Sequence, residues 1–138
     1  MATTTPSDTT PSTPAGPRTF GNFIGGEWRA SASGATFDDT NPAHDGEVVA
    51  RFQRSSVADV DAALTAAGAA FPAWRAMPPP QRGEIILRAA LMLEQRRDEL
   101  ARLMTREMGK PLNETLGDVQ TAIDFGKFVA SEGRRAEG

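Results

Sequence analysis

Few residues in this chain have the type and spacing to do chemistry. The most suggestive stretch is "TREMGKPLNE", Thr105 to Glu114, where a Gly-Lys pair is followed by a proline. Gly-Lys pairs often mark phosphate-binding loops, but such a loop needs glycines before the lysine and a helix starting after it. Here the order is reversed. Leu100, Leu103, Met104 and Met108 recur at helical spacing and end at Gly109. Glycine in the left-handed conformation closes a helix, Lys110 suits the negative end of the dipole, and Pro111 forbids continuation. The stretch reads as a helix stop. Glu107 and Glu114 flank it, and Asp118 follows Glu114 by four residues, on the same face of the next helix. Acid–base catalysis by such a pair would require a cleft around it; without one, the carboxylates are simply solvated. The only histidine, His44, sits in a turn beside Asp45 and is the only base a serine triad could use. No serine occupies a strand-to-helix elbow. There is no cysteine, so these 138 residues hold no thiol nucleophile, disulfide or zinc–thiolate site. No side-chain cluster has metal-ligand spacing, and no G-x-G-x-x-G loop is present.

The elements that would carry these groups can be read from the chain. Residues 1–19, "MATTTPSDTTPSTPAGPRT", have almost nothing to bury and are expected to be a disordered Thr/Ser/Pro-rich tail. Phe23 and Ile24, then Gly25-Gly26, then Trp28 predict a tight hairpin, because both central residues of a type I′ turn need positive φ. "ASASGATFDD" reads as a loop leading into a short extended piece. "NPAHDG" is a turn cluster, and "EVVARFQ" predicts a further strand with Val48, Ala50 and Phe52 on one side. Ser56 with Asp59 three residues later resembles a capping box. Val60, Leu64, Ala67, Phe71 and Trp74 then follow helical spacing until Pro72, which is expected to end or kink the helix near Phe71. "MPPPQR" is a linker whose last proline can open the next helix. In that helix, Ile85, Ile86, Ala89, Ala90 and Leu93 make one stripe. Leu87 and Leu91 make a second, which predicts burial on more than one side. After a charged break at 94–98, two more helices follow, the last with an apolar face from Leu112 to Val129. The β part spans about 35 residues, and the helices have little sheet to cover.

Length suggests one domain at most. Fifteen Lys plus Arg against eighteen Asp plus Glu give a net charge of −3, which leaves no basic footprint for nucleic acid and no basic amphipathic run for a membrane surface. No apolar run approaches the roughly 18 residues of a membrane span, and no hydrophobic signal-peptide core is present. A soluble, cytoplasmic protein is the expectation.

"NFIGGEWRASASGATFDDTNPAHDGEVVARF", "VADVDAALTAAGAAFPAW", "RGEIILRAALMLEQRRDELARLMTREMGKPLNE" and "GDVQTAIDFGKFVASEGRR" follow one another in fixed order. Over about residues 20–138, this series closely resembles the N-terminal part of the aldehyde dehydrogenase superfamily. The resemblance implies the family's α/β fold, of which this piece, mainly helical with a small β-hairpin and strand element, would be an incomplete cofactor-binding domain. It implies oxidation of aldehydes to carboxylates with NAD or NADP. The family does this with a cysteine nucleophile, an asparagine side chain and a backbone N–H that hold the oxyanion, and a glutamate that activates water. Those residues and the nucleotide-contacting segments lie downstream of the region matched, so the chain alone is expected to bind no cofactor and to be inactive. The partners implied are the rest of a dehydrogenase chain and, for full-length relatives, further subunits of a dimer or tetramer.

Two site features carry over by resemblance. Some members bind a monovalent cation through backbone carbonyls before the "NP" turn and the acid of "EMGKP". Those positions are Asp39, Thr40 and Glu107, and oxygen donors suit a hard cation. The alternative for Glu107 is a helix-end carboxylate bonded to backbone N–H groups. The helix after "EMGKP" lines the family's substrate-tunnel mouth; Asp118 and Ala122 match tunnel-facing positions and would suit a polar aldehyde. "LMTREMGK" with "GDVQTAID" looks most like the branch acting on semialdehydes such as α-ketoglutaric semialdehyde. The competing reading is a non-enzymatic interaction protein that binds a partner, such as an intact homologue, through uncovered apolar helix faces.

Overall fold

A computed structural model describes residues 16–135. Most of the expected 1–19 tail lies outside that range. Its last residues are paired: the Arg51 N–H donates to the Arg18 carbonyl at 2.9 Å, and the Phe20 N–H to the Arg51 carbonyl at 2.8 Å.

The chain folds as two small antiparallel strand pairs followed by four helices, so it is mainly helical as expected. Strands β1 (Asn22–Ile24) and β2 (Glu27–Arg29) form the hairpin, with Phe23 opposite Trp28. Gly25 and Gly26 have φ of 64° and 86°, the turn that matches the twist of the strands it joins. The "short extended piece" is a full strand, β3 (Thr36–Thr40), paired with β4 (Val48–Gln53). The register slips between Asp39 and Thr40, which face Ala50 and Val48. Val49 is therefore the extra residue of a bulge. Of the three residues expected on one side of β4, Ala50 is buried, while Phe52 stays partly open and stacks on Phe20 at 5.5 Å.

Helix α1 (Val57–Ala76) starts where the Ser56/Asp59 pattern places it. It does not end near Phe71; it continues through Pro72. A proline costs a helix its own N–H and crowds the carbonyl four residues back. That residue is Gly68, which is exposed, so water can serve the freed carbonyl. Pro79 and Pro80 open α2 (Pro79–Gln95), where a missing N–H costs nothing. A single residue, Arg96, separates α2 from α3 (Arg97–Met108), and α4 (Leu112–Glu132) follows the Gly109–Pro111 stop.

The helical layer is built on α4, which packs against both α2 and α3. Ala101, Val119 and Ile123 form its centre, with Leu100, Met104, Leu112 and Leu116 around them. At the α2–α4 crossing the contact residues are small. A Cβ on Gly83 would stand 2.4 Å from the Ala130 carbonyl oxygen, and one on Gly133 2.5 Å from that of Pro79. Gly83 and Ala90 are buried and Ile85 and Ile86 half-buried, but Ala89 and Leu93 of the first expected stripe are exposed, as are Leu87 and Leu91 of the second. Ion pairs between Lys127 and Glu94 (2.7 Å) and between Arg134 and Glu84 (2.9 Å) flank the crossing.

Candidate functional site

Glu107, Lys110, Asp118 and Ala122, singled out from sequence, lie at or beside the turn that joins α3 to α4. Gly109 has φ of 69°, a conformation that only glycine enters without strain. It is also wedged against the "NP" turn: a Cβ there would meet the Pro42 ring at 3.0 Å and Ala43 Cβ at 3.3 Å. The turn holds its own shape, since the Asn41 side-chain oxygen accepts from the Ala43 N–H at 2.9 Å. A polar link runs alongside. Arg106 pairs with Glu47 at 2.7 Å, and Asn41 Nδ2 donates to the other Glu47 oxygen at 2.7 Å. These bonds, from Asn41 first and Arg106 second, hold the Glu47 carboxyl below the usual carboxylate range. Arg106 and Glu47 are 59 positions apart, and no spacing rule links them. The Asn-Pro turn signal was the only local hint.

Lys110 does more than face the α3 dipole. Its ammonium group is hydrogen-bonded to Asp118 and lies 3.9 Å from Glu114. The bond to Asp118 raises the Lys110 pKa. The two carboxylates share one cation, so the face carries less negative charge than the sequence suggested. Beneath it, the fully buried Thr115 hydroxyl donates to the Leu112 carbonyl at 3.0 Å and lies 2.9 Å from the Thr105 hydroxyl, joining α3 to α4. This pair of threonines was not anticipated from sequence.

Glu107 and Ala122 line one open hollow of about 260 Å³, with Leu93, Leu100, Leu103, Met104 and Val119. Asp118, one turn before Ala122 on α4, is exposed. Asp39 is half-buried at the bulge and Thr40 is exposed. No hydrogen bond joins either of them to Glu107 among the described residues, and Glu107 accepts none from backbone N–H groups there. Among the described residues, no protein donor claims its oxygens.

A second polar centre sits where the hairpin's exit loop meets α1. Asp59 is buried and accepts four bonds: from the Ser56 N–H (2.7 Å) and hydroxyl (2.8 Å), the Ser31 hydroxyl (2.7 Å) and the Ala32 N–H (3.0 Å). The backbone bonds from Ser56 and Ala32, then the hydroxyls, hold its carboxyl far below the usual range. Such an acid stays ionised and cannot serve as a general base near neutral pH. Its role is structural. Among the described residues, no group of three or more His, Cys, Asp or Glu side chains could hold a metal ion.

Residues 28–138 match the model of the aldehyde dehydrogenase family. The chain belongs to the aldehyde dehydrogenase family. It is 45% identical over 111 residues to an α-ketoglutarate semialdehyde dehydrogenase of Haloferax volcanii, covering 80% of this chain and 23% of that protein. It is 41% identical over 120 residues to an α-ketoglutaric semialdehyde dehydrogenase of Bacillus subtilis strain 168, covering 87% of this chain and 25% of that protein. The fold agrees. The crystal structure of an NAD-dependent aldehyde dehydrogenase from Sinorhizobium meliloti superposes with a TM-score of 0.83 at 32% identity, over 87% of this chain and 24% of that one. The chain thus spans about a quarter of the length of the aldehyde dehydrogenases it matches. The "NP" turn and "EMGKP", distant in sequence, meet in the fold through Gly109.

Proposed function

We propose that this chain is the N-terminal part of an NAD(P)-dependent dehydrogenase that oxidises an aldehyde, specifically a semialdehyde, to its carboxylate in the cytoplasm. The observation that carries this reading is the 45% identity to a semialdehyde dehydrogenase over 111 residues. The nicotinamide supplies the hydride acceptor when bound. The 138 residues contain no cysteine, so the nucleophile must come from further along the polypeptide. This chain's share is positional. The Gly109 wedge and the Arg106–Glu47–Asn41 link hold the strand layer against the end of α3, and the Thr105–Thr115 bond fixes α4 to it. Asp118 and Ala122 then present one face of α4 to the substrate path. With Lys110 on Asp118, that face favours a polar substrate without the full repulsion that two bare carboxylates would exert on an anionic one. Asp39, Thr40 and Glu107 fit a monovalent cation by donor chemistry: backbone carbonyls at a bulge, plus a carboxylate that no donor among the described residues claims.

Reading the coding frame beyond Gly138 tests this directly. A remainder bearing a reactive cysteine is expected; one without it refutes the enzyme reading. The purified 138-residue chain alone is expected to show no NAD-dependent aldehyde oxidation, and measurable turnover would overturn the placement of the catalytic groups.

A further inference from the structure

The turn between β3 and β4 brings an electrophile beside a nucleophile. Asp45-Gly46 is the sole Asp-Gly pair in the chain, and no Asn-Gly pair occurs. Both residues are exposed. The Glu47 N–H donates to the His44 carbonyl at 3.2 Å, which makes Asp45 and Gly46 the central residues of a β-turn. Gly46 has φ of 81°, and nothing stands within 4 Å of a Cβ built on it. Among the described residues, no donor or cation claims the Asp45 carboxyl, and the Gly46 N–H donates to no acceptor. Every other described aspartate lies in a strand or a helix. Each is followed by a residue whose side chain crowds the attacking nitrogen. We propose that Asp45 is a site of self-modification: it converts to isoaspartate through a succinimide formed with Gly46, and the conversion loosens Glu47 from Arg106.

The Gly46 nitrogen attacks Cγ of the protonated Asp45 carboxyl. A Cγ–N bond forms, the Cγ–OH bond breaks, and the hydroxyl leaves as water with the former amide proton. Glycine has no Cβ to block the approach. Water then opens the imide. Cleavage at Cγ restores aspartate. Cleavage at the Asp45 main-chain carbonyl leaves the chain running through Cβ and Cγ, with a free α-carboxylate. No oxidant or partner is consumed, and the composition returns to that of the starting chain. The main chain between His44 and Glu47 is then one methylene longer, so the bond that closes the turn is lost. Glu47 is the next residue, and its carboxylate joins Asn41 (2.7 Å) to Arg106 (2.7 Å). A change in an exposed turn thereby reaches the link between the strand layer and α3.

The test ages the full 138-residue chain in warm neutral buffer over weeks, native and in urea. A protein isoaspartyl methyltransferase with labelled S-adenosylmethionine then marks each free α-carboxylate. The tryptic peptide Ala30–Arg51 also holds Asp38 and Asp39, so fragmenting it compares the three sites directly. Label is expected at Asp45 and not at Asp38 or Asp39. The native rate should lie within about tenfold of the rate in urea, since exposed turns open at little free-energy cost. Asp45→Glu keeps the charge but would have to close a six-membered imide, and should remove the label. The isomerised form, separated by anion exchange, should exchange its Glu47 and Val48 amide hydrogens about fivefold faster, the ratio that loss of an exposed ion pair gives. The inference is overturned if the native chain stays unlabelled while the unfolded chain is labelled. Label retained in Asp45→Glu, or spread equally over the three aspartates, also overturns it, as does unchanged exchange at Glu47 and Val48 in the isomerised form.

Discussion

Replacing Gly83 by alanine tests how closely α2 and α4 approach. In an exposed helix the change would stabilise by about 1 kcal/mol, because glycine is a poor helix former. Here the added methyl would stand 2.4 Å from the Ala130 carbonyl oxygen. Ordinary contact begins at about 3.4 Å, so roughly 1 Å of separation must be found. The obstacle is backbone on the partner helix and cannot swing aside. Overpacking of this kind costs about 1–3 kcal/mol, and a backbone obstacle puts the cost near the upper end. The net loss is then about 2 kcal/mol after the propensity gain. Gly68→Ala is the control: it lies in α1 with nothing within 4 Å of an added Cβ, so only the gain of about 1 kcal/mol applies. The two variants should differ by about 3 kcal/mol. Urea titration of the helical circular dichroism signal reads this directly. With a slope of about 1–3 kcal/mol/M, Gly83→Ala should lower the midpoint by roughly 1 M, and Gly68→Ala should raise it by about half as much. A Gly83→Ala midpoint equal to or above that of the parent chain would refute the close crossing.

Ile123 is fully buried at the centre of the helical layer, so Ile123→Ala should cost about 2–5 kcal/mol, read by the same titration; a loss below 1 kcal/mol would move the core elsewhere. Asp59 is held ionised by four donors, so its folded pKa lies below the unfolded value of about 4. Its contribution is therefore complete above pH 4 and is lost as pH falls through the folded value. Asp59→Asn should be less stable than the parent at pH 7, and the difference should shrink in acid; a difference that stays constant down to pH 2 would show that the charge is not what the donors hold.

What the sequence made legible was local. The stop at Gly109 could be read because glycine, lysine and proline each act within one helix turn, and the Gly25-Gly26 hairpin could be read for the same reason. The order of the motifs placed the chain in its family. Pro72 misled because the rule for proline in helices assumes the freed carbonyl has no other partner, and the exposure of Gly68 supplies one. The second stripe of α2 misled because periodicity shows which faces are apolar, not which are covered; Leu87 and Leu91 are about as open as Leu93 of the first stripe, and the close contact with α4 falls at Gly83 and Ala90. The Arg106–Glu47 and Thr105–Thr115 links pair residues from different elements, and a single sequence carries no signal for such pairs. Lys110 lay in plain view, but its partner depended on how α4 leaves the Pro111 turn.

The Ser31–Asp59 bond has a consequence for the order of events during synthesis. It closes between residues 28 positions apart, both N-terminal to the helical layer, so it can form once the start of α1 has left the ribosome. Helix α2 has no such early partner. Its groove at Gly83 and Ala90 fits α4, whose last turn emerges about 40 residues after α2 is complete. At roughly 5–20 residues per second, α2 waits on the order of 2–8 s with that groove empty. The nascent chain is therefore expected to engage chaperones through α2, after the strand layer is already latched.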